Sequence, residues 1–287
     1  MPNLSTRLNE MLSGLFAIGD VKLSSSNSTL LKVEGLEKRF GGITALTDYS
    51  VQIYPRELVG LIGPNGAGKT TVFNLLSGVL KPTAGRILFD GHDITRLRPD
   101  QNTSRGIART FQNIRLFKEL SVIDNIKVAF HMRMGRGFWK TLFNTPGYRS
   151  SEAEMNRRSR EFLELFDLES VEAVPARHLP YGVQRRVEMA RAMATLPKLL
   201  LLDEPSAGLN PSETGELIKI LKSLHKRYDL TIFIVEHDMQ LIMTLCRRIQ
   251  VIDRGHMLTV GTPDAVRNDP RVIEAYLGIS KAGEAHA

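Results

Sequence analysis

The chain has 287 residues and a formal net charge of +7. This length allows one large domain with a substantial core, and the basic balance suits an anionic partner such as a nucleotide, a nucleic acid or a membrane surface. The single cysteine, Cys246, excludes an intramolecular disulfide and indicates a reducing compartment. No apolar run approaches the roughly 20 residues that a membrane-spanning helix needs, so a membrane role would require a partner.

Residues 1–29 form an extension that ends in a Ser-rich linker. Leu4, Leu8, Leu12 and Leu15 recur at helical spacing, which is typical of a short docking or interfacial helix. The composition is equally typical of a loosely ordered extension, and both interpretations stay open. The apolar stretch is not followed by a convincing small-residue cleavage site, which argues against a secretory signal.

From Leu30 onwards, strand and helix patterns alternate. "LLKVEGLEKRF" and "TDYSVQIY" alternate apolar and polar residues like half-exposed antiparallel strands, whereas "LVGLIG", "LLLLDEP" and "TIFIVEH" are continuous apolar runs typical of strands buried on both faces. Helical patterns follow these continuous runs, and one of them, "LIMTLCRRI", would bury Cys246 on its apolar face.

Strand, helix and strand in this order predict an α/β fold with a mostly parallel sheet, an N-terminal antiparallel β portion and right-handed crossovers. Between about 113 and 195 the strand signals vanish, which predicts an inserted helical lobe. We therefore expect one α/β domain over 30–279 and a short tail over 280–287.

The segment "GPNGAGKTT" follows an apolar strand and precedes a helix, which is the context required for a phosphate-binding loop. Backbone N–H groups at the glycines and at the helix start are expected to bind phosphates. Lys69 is expected to reach the β- and γ-phosphates, and Thr70 to offer its hydroxyl to Mg²⁺. The predicted binding residues are Gly63, Pro64, Asn65, Gly66, Ala67, Gly68, Lys69, Thr70 and Thr71.

The run "LLLLDEP" ends in two adjacent carboxylates. In a chain that also has a phosphate loop, Asp203 is predicted to hold Mg²⁺ through water, and Glu204 to polarise the attacking water as general base. Gln112 in "ARTFQNIRLF" and His237 in "IFIVEHDM" indicate no function by themselves, because such residues are usually surface, loop or core groups.

The order of these elements resembles the ATP-binding cassette (ABC) ATPases, which have a P-loop NTPase core, and the resemblance runs from about Leu30 to Gly278. It implies that Gln112 contacts Mg²⁺ and the attacking water while linking the two lobes. It also implies that His237 bonds the γ-phosphate, and that Phe40 in "EKRFGG" stacks on adenine. The segment "SAGLN" would lie along a subunit interface.

The equivalent of "LPYGVQ" in this family is the signature motif, which binds the γ-phosphate of ATP held by the other subunit of a head-to-tail dimer. The resemblance therefore assigns nucleotide contacts to Pro180, Tyr181 and Gly182. The commonest family pattern is Leu-Ser-Gly-Gly-Gln, so Pro180 replaces a serine, and Tyr181 and Val183 replace a glycine and a glutamine. Proline near a helix start loses only an N–H that has no intrahelical partner, so we expect a weaker but working contact.

Finer likeness in "RTFQNIRLFKELSVIDNI", "YGVQRRVEMARAMA" and "GTPDAVRNDPRVIEAYLG" points to the ATPase subunits of branched-chain (hydrophobic) amino-acid importers. It implies ATP and Mg²⁺, a second ATPase subunit in a homo- or heterodimer, transmembrane permease subunits and, indirectly, a solute-binding protein. The chain would lie peripherally on the cytoplasmic face of the inner membrane. Importers of urea, amides or other solutes stay open, as does a soluble cassette acting on nucleic acid or ribosomes.

A stretch in the helical lobe, "RMGRGFWKTLFNTPGYR", mixes basic and aromatic residues. It can pack on its own lobe, bind nucleic acid, or face a membrane subunit and anionic headgroups. The transporter resemblance favours the membrane side over nucleic acid. The residues concerned are Arg133, Arg136, Lys140 and Arg149 with Phe138, Trp139 and Phe143.

Overall fold

The computed structural model describes residues 28–133 and 146–277. The prediction of an N-terminal helix, most of the basic and aromatic stretch, and the tail over 280–287 lie outside these residues. Within them, no helix is both long enough and apolar enough to cross a lipid bilayer.

In the part of the chain that the structure describes, ten strands form two sheets. A six-stranded sheet has the order β10-β9-β3-β8-β7-β6, and its neighbours are parallel except for the antiparallel pair β9 and β10. A four-stranded antiparallel sheet has the order β2-β1-β4-β5. The strands are β1 Leu31–Phe40, β2 Ile43–Ile53, β3 Leu58–Ile62, β4 Ala84–Phe89, β5 His92–Asp93, β6 Ile107–Arg109, β7 Leu199–Asp203, β8 Thr231–Val235, β9 Arg248–Asp253 and β10 His256–Gly261.

The continuous apolar runs form the centre of the six-stranded sheet, because both of their faces are covered. Alternate residues of β8 face opposite cores: Ile232 and Ile234 belong to one cluster, and Phe233 and Val235 to the other. The second cluster lies between the two sheets and includes the helix that follows β3. The predicted parallel sheet, antiparallel β portion and α/β class are confirmed.

Helices pack against the six-stranded sheet. Those that the structure describes between β6 and β7 form the predicted helical region. Among the described residues from 113 to 195 the structure has helices, two 3₁₀ turns and one isolated bridge between Ser121 and Pro175. The helices are α1 Lys69–Leu76, α2 Pro99–Arg105, α3 Val122–Arg133, α4 Pro146–Leu165, α5 Tyr181–Ala194, α6 Pro211–Tyr228, α7 Met239–Leu245, α8 Pro263–Arg267 and α9 Pro270–Leu277.

The prediction for Cys246 was only partly right. Its side chain is buried, but α7 ends one residue earlier and the backbone at Cys246 is already extended. The helix ends there because the chain must pair with β3 from Arg248, whose guanidinium is held by the carboxylate of Glu57 at 2.7 Å. The sulfur instead lies against β3, where a Cβ added to Gly60 would meet it at 3.2 Å.

Candidate active site

The phosphate loop joins the end of β3 to α1. Gly63 has no space for a side chain, since a Cβ there would lie 2.1 Å from the carbonyl oxygen of Ile252. Gly68 caps α1 with a φ of 105°, in the left-handed region that favours glycine. The first helical hydrogen bond of α1 runs from the Val72 N–H to the Gly68 carbonyl, so the N–H groups before it have no helical partner and point towards the loop.

Lys69 places its amine at the centre of this loop. The Nζ atom donates to the carbonyl oxygens of Gly63 at 2.7 Å and Pro64 at 2.9 Å, and the side chain is buried. Burial lowers the pKa of Lys69, while the nearby carboxylates of Glu204 and Asp203 oppose that shift. The next residue, Thr70, is exposed, so its hydroxyl is accessible at the same end of the helix.

Asp203, the last residue of β7, is buried and paired with a cation. Its Oδ2 accepts a hydrogen bond from Nη2 of Arg109 at 2.7 Å, and Nη1 of Arg109 donates to Asn74 of α1 and to Ser77 directly after that helix, each at 2.8 Å. Sequence reasoning missed Arg109. Arg109 ends β6, a strand of three residues, which is too short to give a clear sequence pattern. In the structure it lies opposite Leu201 of β7.

Glu204 follows β7 with a φ of 47°, which turns the chain out of the sheet while its N–H still bonds to the Val235 carbonyl at 2.8 Å. Its Oε2 accepts from Nε2 of Gln112 at 2.8 Å and lies 3.8 Å from Nδ1 of His237. The imidazole of His237 is 60% exposed. The structure thus brings together the predicted base, Gln112 and His237, which lie far apart in the sequence.

The carboxylate immediately before His237 is a second group that sequence reasoning missed. Glu236 is fully buried and accepts hydrogen bonds from Ser206, from the His237 N–H and from the Asp238 N–H. Its place at the end of an apolar run, in "IFIVEHDM", gave no indication that a carboxylate is required there.

The segment that carries Gln112 is held by two buried residues of α5. Arg185 donates to the carbonyls of Phe111 at 2.7 Å, Gln112 at 3.0 Å and Glu204 at 3.2 Å. Glu188 pairs with Arg185 at 3.0 Å, and its other oxygen accepts from the N–H of Phe111 at 3.4 Å. The signature helix is therefore bonded to the backbone of the Gln112 segment and to the carbonyl of the predicted base, and no role was predicted for Arg185 or Glu188 from the sequence.

The signature residues lie at the start of α5, against α6 and the loop before it. Pro180 is the residue before the first turn. An N–H at this position has no helical partner, so the proline costs no helical hydrogen bond. The ring of Tyr181 lies over Gly208, whose added Cβ would be 2.9 Å from it. Gly182 faces Glu213, since a Cβ on Gly182 would come within 2.6 Å of that carboxylate. Of the other predicted site residues, those of the phosphate loop, Asp203, Glu204 and His237 follow or end β3, β7 and β8, and Gln112 follows β6.

Phe40 lies at the end of β1, opposite Ile43 of β2. Its ring is 46% exposed, and the amine of Lys38 lies 4.9 Å from the ring centroid. An exposed ring face at a turn is available for stacking on a flat ligand. The predicted stacking role of Phe40 stays a prediction.

The site offers oxygen donors that suit Mg²⁺. Thr70 supplies a hydroxyl, Asp203 a carboxylate and Gln112 an amide whose nitrogen already bonds to Glu204, so its oxygen is the atom left to bind a cation. Oxygen ligands of this kind are those that Mg²⁺ prefers. Among the described residues, no cluster of three or more His, Cys, Asp or Glu side chains could hold a metal by itself.

A phosphate loop, an adjacent Asp-Glu pair at the end of a buried strand and a Gln-Glu-His cluster near the carboxyl ends of parallel strands define an ATP-binding cassette. The model of the family described as "ABC transporter" matches residues 46–207. A model described as "Branched-chain amino acid ATP-binding cassette transporter" matches residues 256–281. The chain belongs to the ABC transporter family.

The high-affinity branched-chain amino acid transport ATP-binding protein LivG of Escherichia coli (strain K12) is 47% identical over 249 residues, which are 87% of this chain and 98% of LivG. The crystal structure of the ADP conformation of MJ1267, a cassette of an ABC transporter, matches with a TM-score of 0.76 and 30% identity, over 88% of this chain and 100% of that chain. The dimeric structure of MJ0796, a bacterial ABC transporter cassette, matches with a TM-score of 0.70 and 26% identity, over 81% and 98%.

Proposed function

We propose that this chain is the ATP-binding and ATP-hydrolysing subunit of an ABC importer of branched-chain or other hydrophobic amino acids. The observation that carries the proposal is the cluster of Gln112, Glu204 and His237 beside the phosphate loop. The solute class rests on the similarity to LivG over almost the whole length of that relative.

The residues around the γ-phosphate divide the work of hydrolysis. Glu204 takes the proton of the attacking water, while Gln112 donates a hydrogen bond to Oε2 of that carboxylate. The water oxygen bonds to the γ-phosphorus as the bond to the β-phosphate oxygen breaks, and ADP leaves. Lys69 and His237 stabilise the charge on the transferring group. Thr70 and Gln112 would hold Mg²⁺ together with Asp203, which would act through water, and the ion would supply positive charge beside the phosphates.

The binding of adenine is assigned to Phe40, and the triphosphate to residues 63–71. The exposed ring at the turn between β1 and β2 supports the first assignment. The unpaired N–H groups at the start of α1, together with the amine of Lys69, support the second.

A second ATPase subunit would complete each nucleotide site, through Pro180, Tyr181 and Gly182 of the signature. The dimeric structure of MJ0796 supports a cassette dimer, and homo- and heterodimers fit equally well. Gly208, within residues 206–210, lies beside Tyr181, which supports the assignment of both segments to one interface. We propose that ATP closes this dimer and that hydrolysis reopens it.

The transmembrane permease would dock near Gln112, and the chain would lie peripherally on the cytoplasmic face of the inner membrane. Gln112 is exposed, and five residues further on Phe117 is 50% exposed. Because Arg185 joins this segment to the signature helix, motion of α5 would reach the docking surface. A solute-binding protein would act only through the permease, and no nucleic acid is expected.

The test is a gentle detergent purification of the tagged chain from its native cells, with identification of what accompanies it. Recovery of polytopic membrane proteins and a cassette subunit would support the importer, and transport assays with leucine, isoleucine, valine and urea would define the solute. Recovery of ribosomes or nucleic acid without membrane subunits would overturn the transport role while leaving ATP hydrolysis in place.

A further inference from the structure

Glu236 is a fully buried carboxylate that connects two loops of the site. Its Oε1 accepts from the N–H of Ser206 at 2.7 Å and from the hydroxyl of the same residue at 2.5 Å. Its Oε2 accepts from the N–H of His237 at 3.0 Å and the N–H of Asp238 at 3.2 Å. Each oxygen therefore serves one loop, and the side chain bridges them.

This arrangement needs a carboxylate. A deprotonated carboxylate only accepts hydrogen bonds, and four donors face this one. A buried N–H that loses its acceptor lowers the stability of the fold by about 1–3 kcal/mol, so replacing either acceptor oxygen of Glu236 would be destabilising. The remaining amino acids offer no side chain of this length with two acceptor oxygens.

We propose that Glu236 is a positioning residue, which holds His237 beside Glu204. Ser206 stands two residues after Glu204, so Oε1 ties Glu236 to the loop that begins at the predicted base. Oε2 ties it to the turn that carries His237. The imidazole Nδ1 lies between the two carboxylates, 3.8 Å from Glu204 and 3.9 Å from Glu236. This inference rests on the proposed function, in which Glu204 and His237 act at the γ-phosphate.

The link also reaches the expected subunit interface. Ser206 is the first residue of "SAGLN", and the N–H of Leu209 in that segment bonds to the Ser206 carbonyl at 3.0 Å. A partner that orders this segment would therefore favour the bonded position of Glu236 and with it that of His237. Glu236 would then connect closure of the proposed dimer to the position of His237.

The variant Glu236→Gln has nearly the same shape but places an amide donor where donors already point. We expect kcat for ATP to fall at least about tenfold, with KM and the affinity for a fluorescent ATP analogue within about threefold of the parent. Glu57→Gln is the matched control. Glu57 also accepts hydrogen bonds from a backbone N–H, that of Tyr54, and from the guanidinium of Arg248, but it lies away from the predicted site. A kcat for Glu236→Gln like that of Glu57→Gln would overturn the proposal.

A double-mutant cycle with His237→Ala separates positioning from general stability. If Glu236 acts through His237, then Glu236→Gln costs at most about twofold in kcat in the His237→Ala background. A further loss of about tenfold in that background would overturn the proposal. Thermal unfolding of every variant shows whether the fold is retained.

If Glu236→Gln does not fold, Ser206→Ala gives the second measurement, because it removes only the hydroxyl donor and keeps the N–H. We expect kcat to fall about threefold with KM unchanged, and an unchanged kcat would overturn the proposal. The proposed function fails separately: it requires that the parent hydrolyses ATP and that Glu204→Gln abolishes turnover. If the parent hydrolyses ATP, Glu204→Gln does not, and Glu236→Gln is fully active, then the positioning role of Glu236 is refuted while the proposed function stands.

Discussion

At the scale of single residues, the phosphate loop shows how one side chain serves both local structure and ligand binding. The amine of Lys69 bonds to the carbonyls of Gly63 and Pro64, so the loop stabilises the cation that is expected to meet the phosphates. The carboxylates of Asp203 and Glu204 oppose the effect of burial on its pKa and help to keep it charged. Lys69 is thus electrostatically coupled to the predicted base, Glu204, and to the predicted metal ligand, Asp203.

We expect Lys69→Ala to lower nucleotide affinity or ATP turnover at least about tenfold, because a point charge that binds the β- and γ-phosphates is removed. Lys198→Ala is the control, since Lys198 is an exposed lysine whose ion-pair partner is Asp90. Nucleotide titration and steady-state ATPase assays measure both variants. Normal binding and turnover in Lys69→Ala would contradict the phosphate-loop assignment.

The single thiol gives a prediction that is independent of nucleotide. Burial raises the pKa of Cys246 to about 12, above the value of the unfolded chain, so the protonated form is favoured in the fold. The resulting stabilisation is fully present below the unfolded pKa and is lost as pH rises towards about 12. We expect a thiol reagent at pH 8 to label the native protein far more slowly than protein in denaturant. Equal rates would contradict the burial of Cys246.

At the scale of elements, α5 has two functions at two places along its length. It begins at Tyr181, directly after Pro180, and both residues are predicted to contact the partner subunit. One turn later, Arg185 and Glu188 bond to the backbone of the Gln112 segment. These bonds connect the signature helix to the Gln112 segment and to the Glu204 carbonyl, so we expect a shift of the signature to move both.

We expect Arg185→Lys to lower kcat at least about tenfold while leaving ATP affinity within about threefold, because one ammonium cannot reproduce the fork that reaches three carbonyls and Glu188. Arg186→Lys is the matched control, since Arg186 is the next residue of the same helix and has one long contact, to the Phe166 carbonyl at 3.5 Å. Equal turnover in the two variants would show that the backbone contacts of Arg185 do not position the site.

The proline at the start of α5 can be tested by Pro180→Ser. We expect turnover to be retained or to rise a few-fold, because serine adds a hydroxyl donor for the partner's γ-phosphate and can also cap the helix. ATPase activity at a protein concentration that allows dimerisation is the measurement. A large fall in turnover would mean that Pro180 is required for another purpose.

At the scale of the whole molecule, the sites are divided between surfaces. The phosphate loop, Glu204 and His237 lie at the ends of parallel strands, whereas the signature residues lie against α6 and the loop before it. A head-to-tail pair would join these surfaces, so that each ATP is held by both subunits. Hydrolysis would then control dissociation of the pair.

Glu204→Gln is expected to bind ATP and to form a stable dimer, with turnover reduced at least about a hundredfold, because the amide cannot take the proton from water. Size-exclusion chromatography with light scattering, with and without MgATP, measures the dimer. Adding Lys69→Ala to this variant should abolish the ATP-dependent dimer. Retained turnover in Glu204→Gln would place the base elsewhere.

The sequence by itself determined the central strands and the phosphate loop, because these depend on local patterns. β3, β7 and β8 are continuous apolar runs, and a strand buried on both faces must be apolar throughout. The glycine spacing and Lys69 follow directly from the need for backbone N–H groups and a cation near phosphate. Asp203 and Glu204 were found because they end such a run.

Only the tertiary structure decided how the site is held together. Arg109 reaches Asp203 across 94 residues of sequence, Glu236 reaches Ser206 across 30, and Arg185 reaches Phe111 across 74. In the sequence these are ordinary arginines and glutamates without a repeating pattern. Their roles arise because parallel strands bring distant segments to one edge of a sheet, where a buried charge must find a partner.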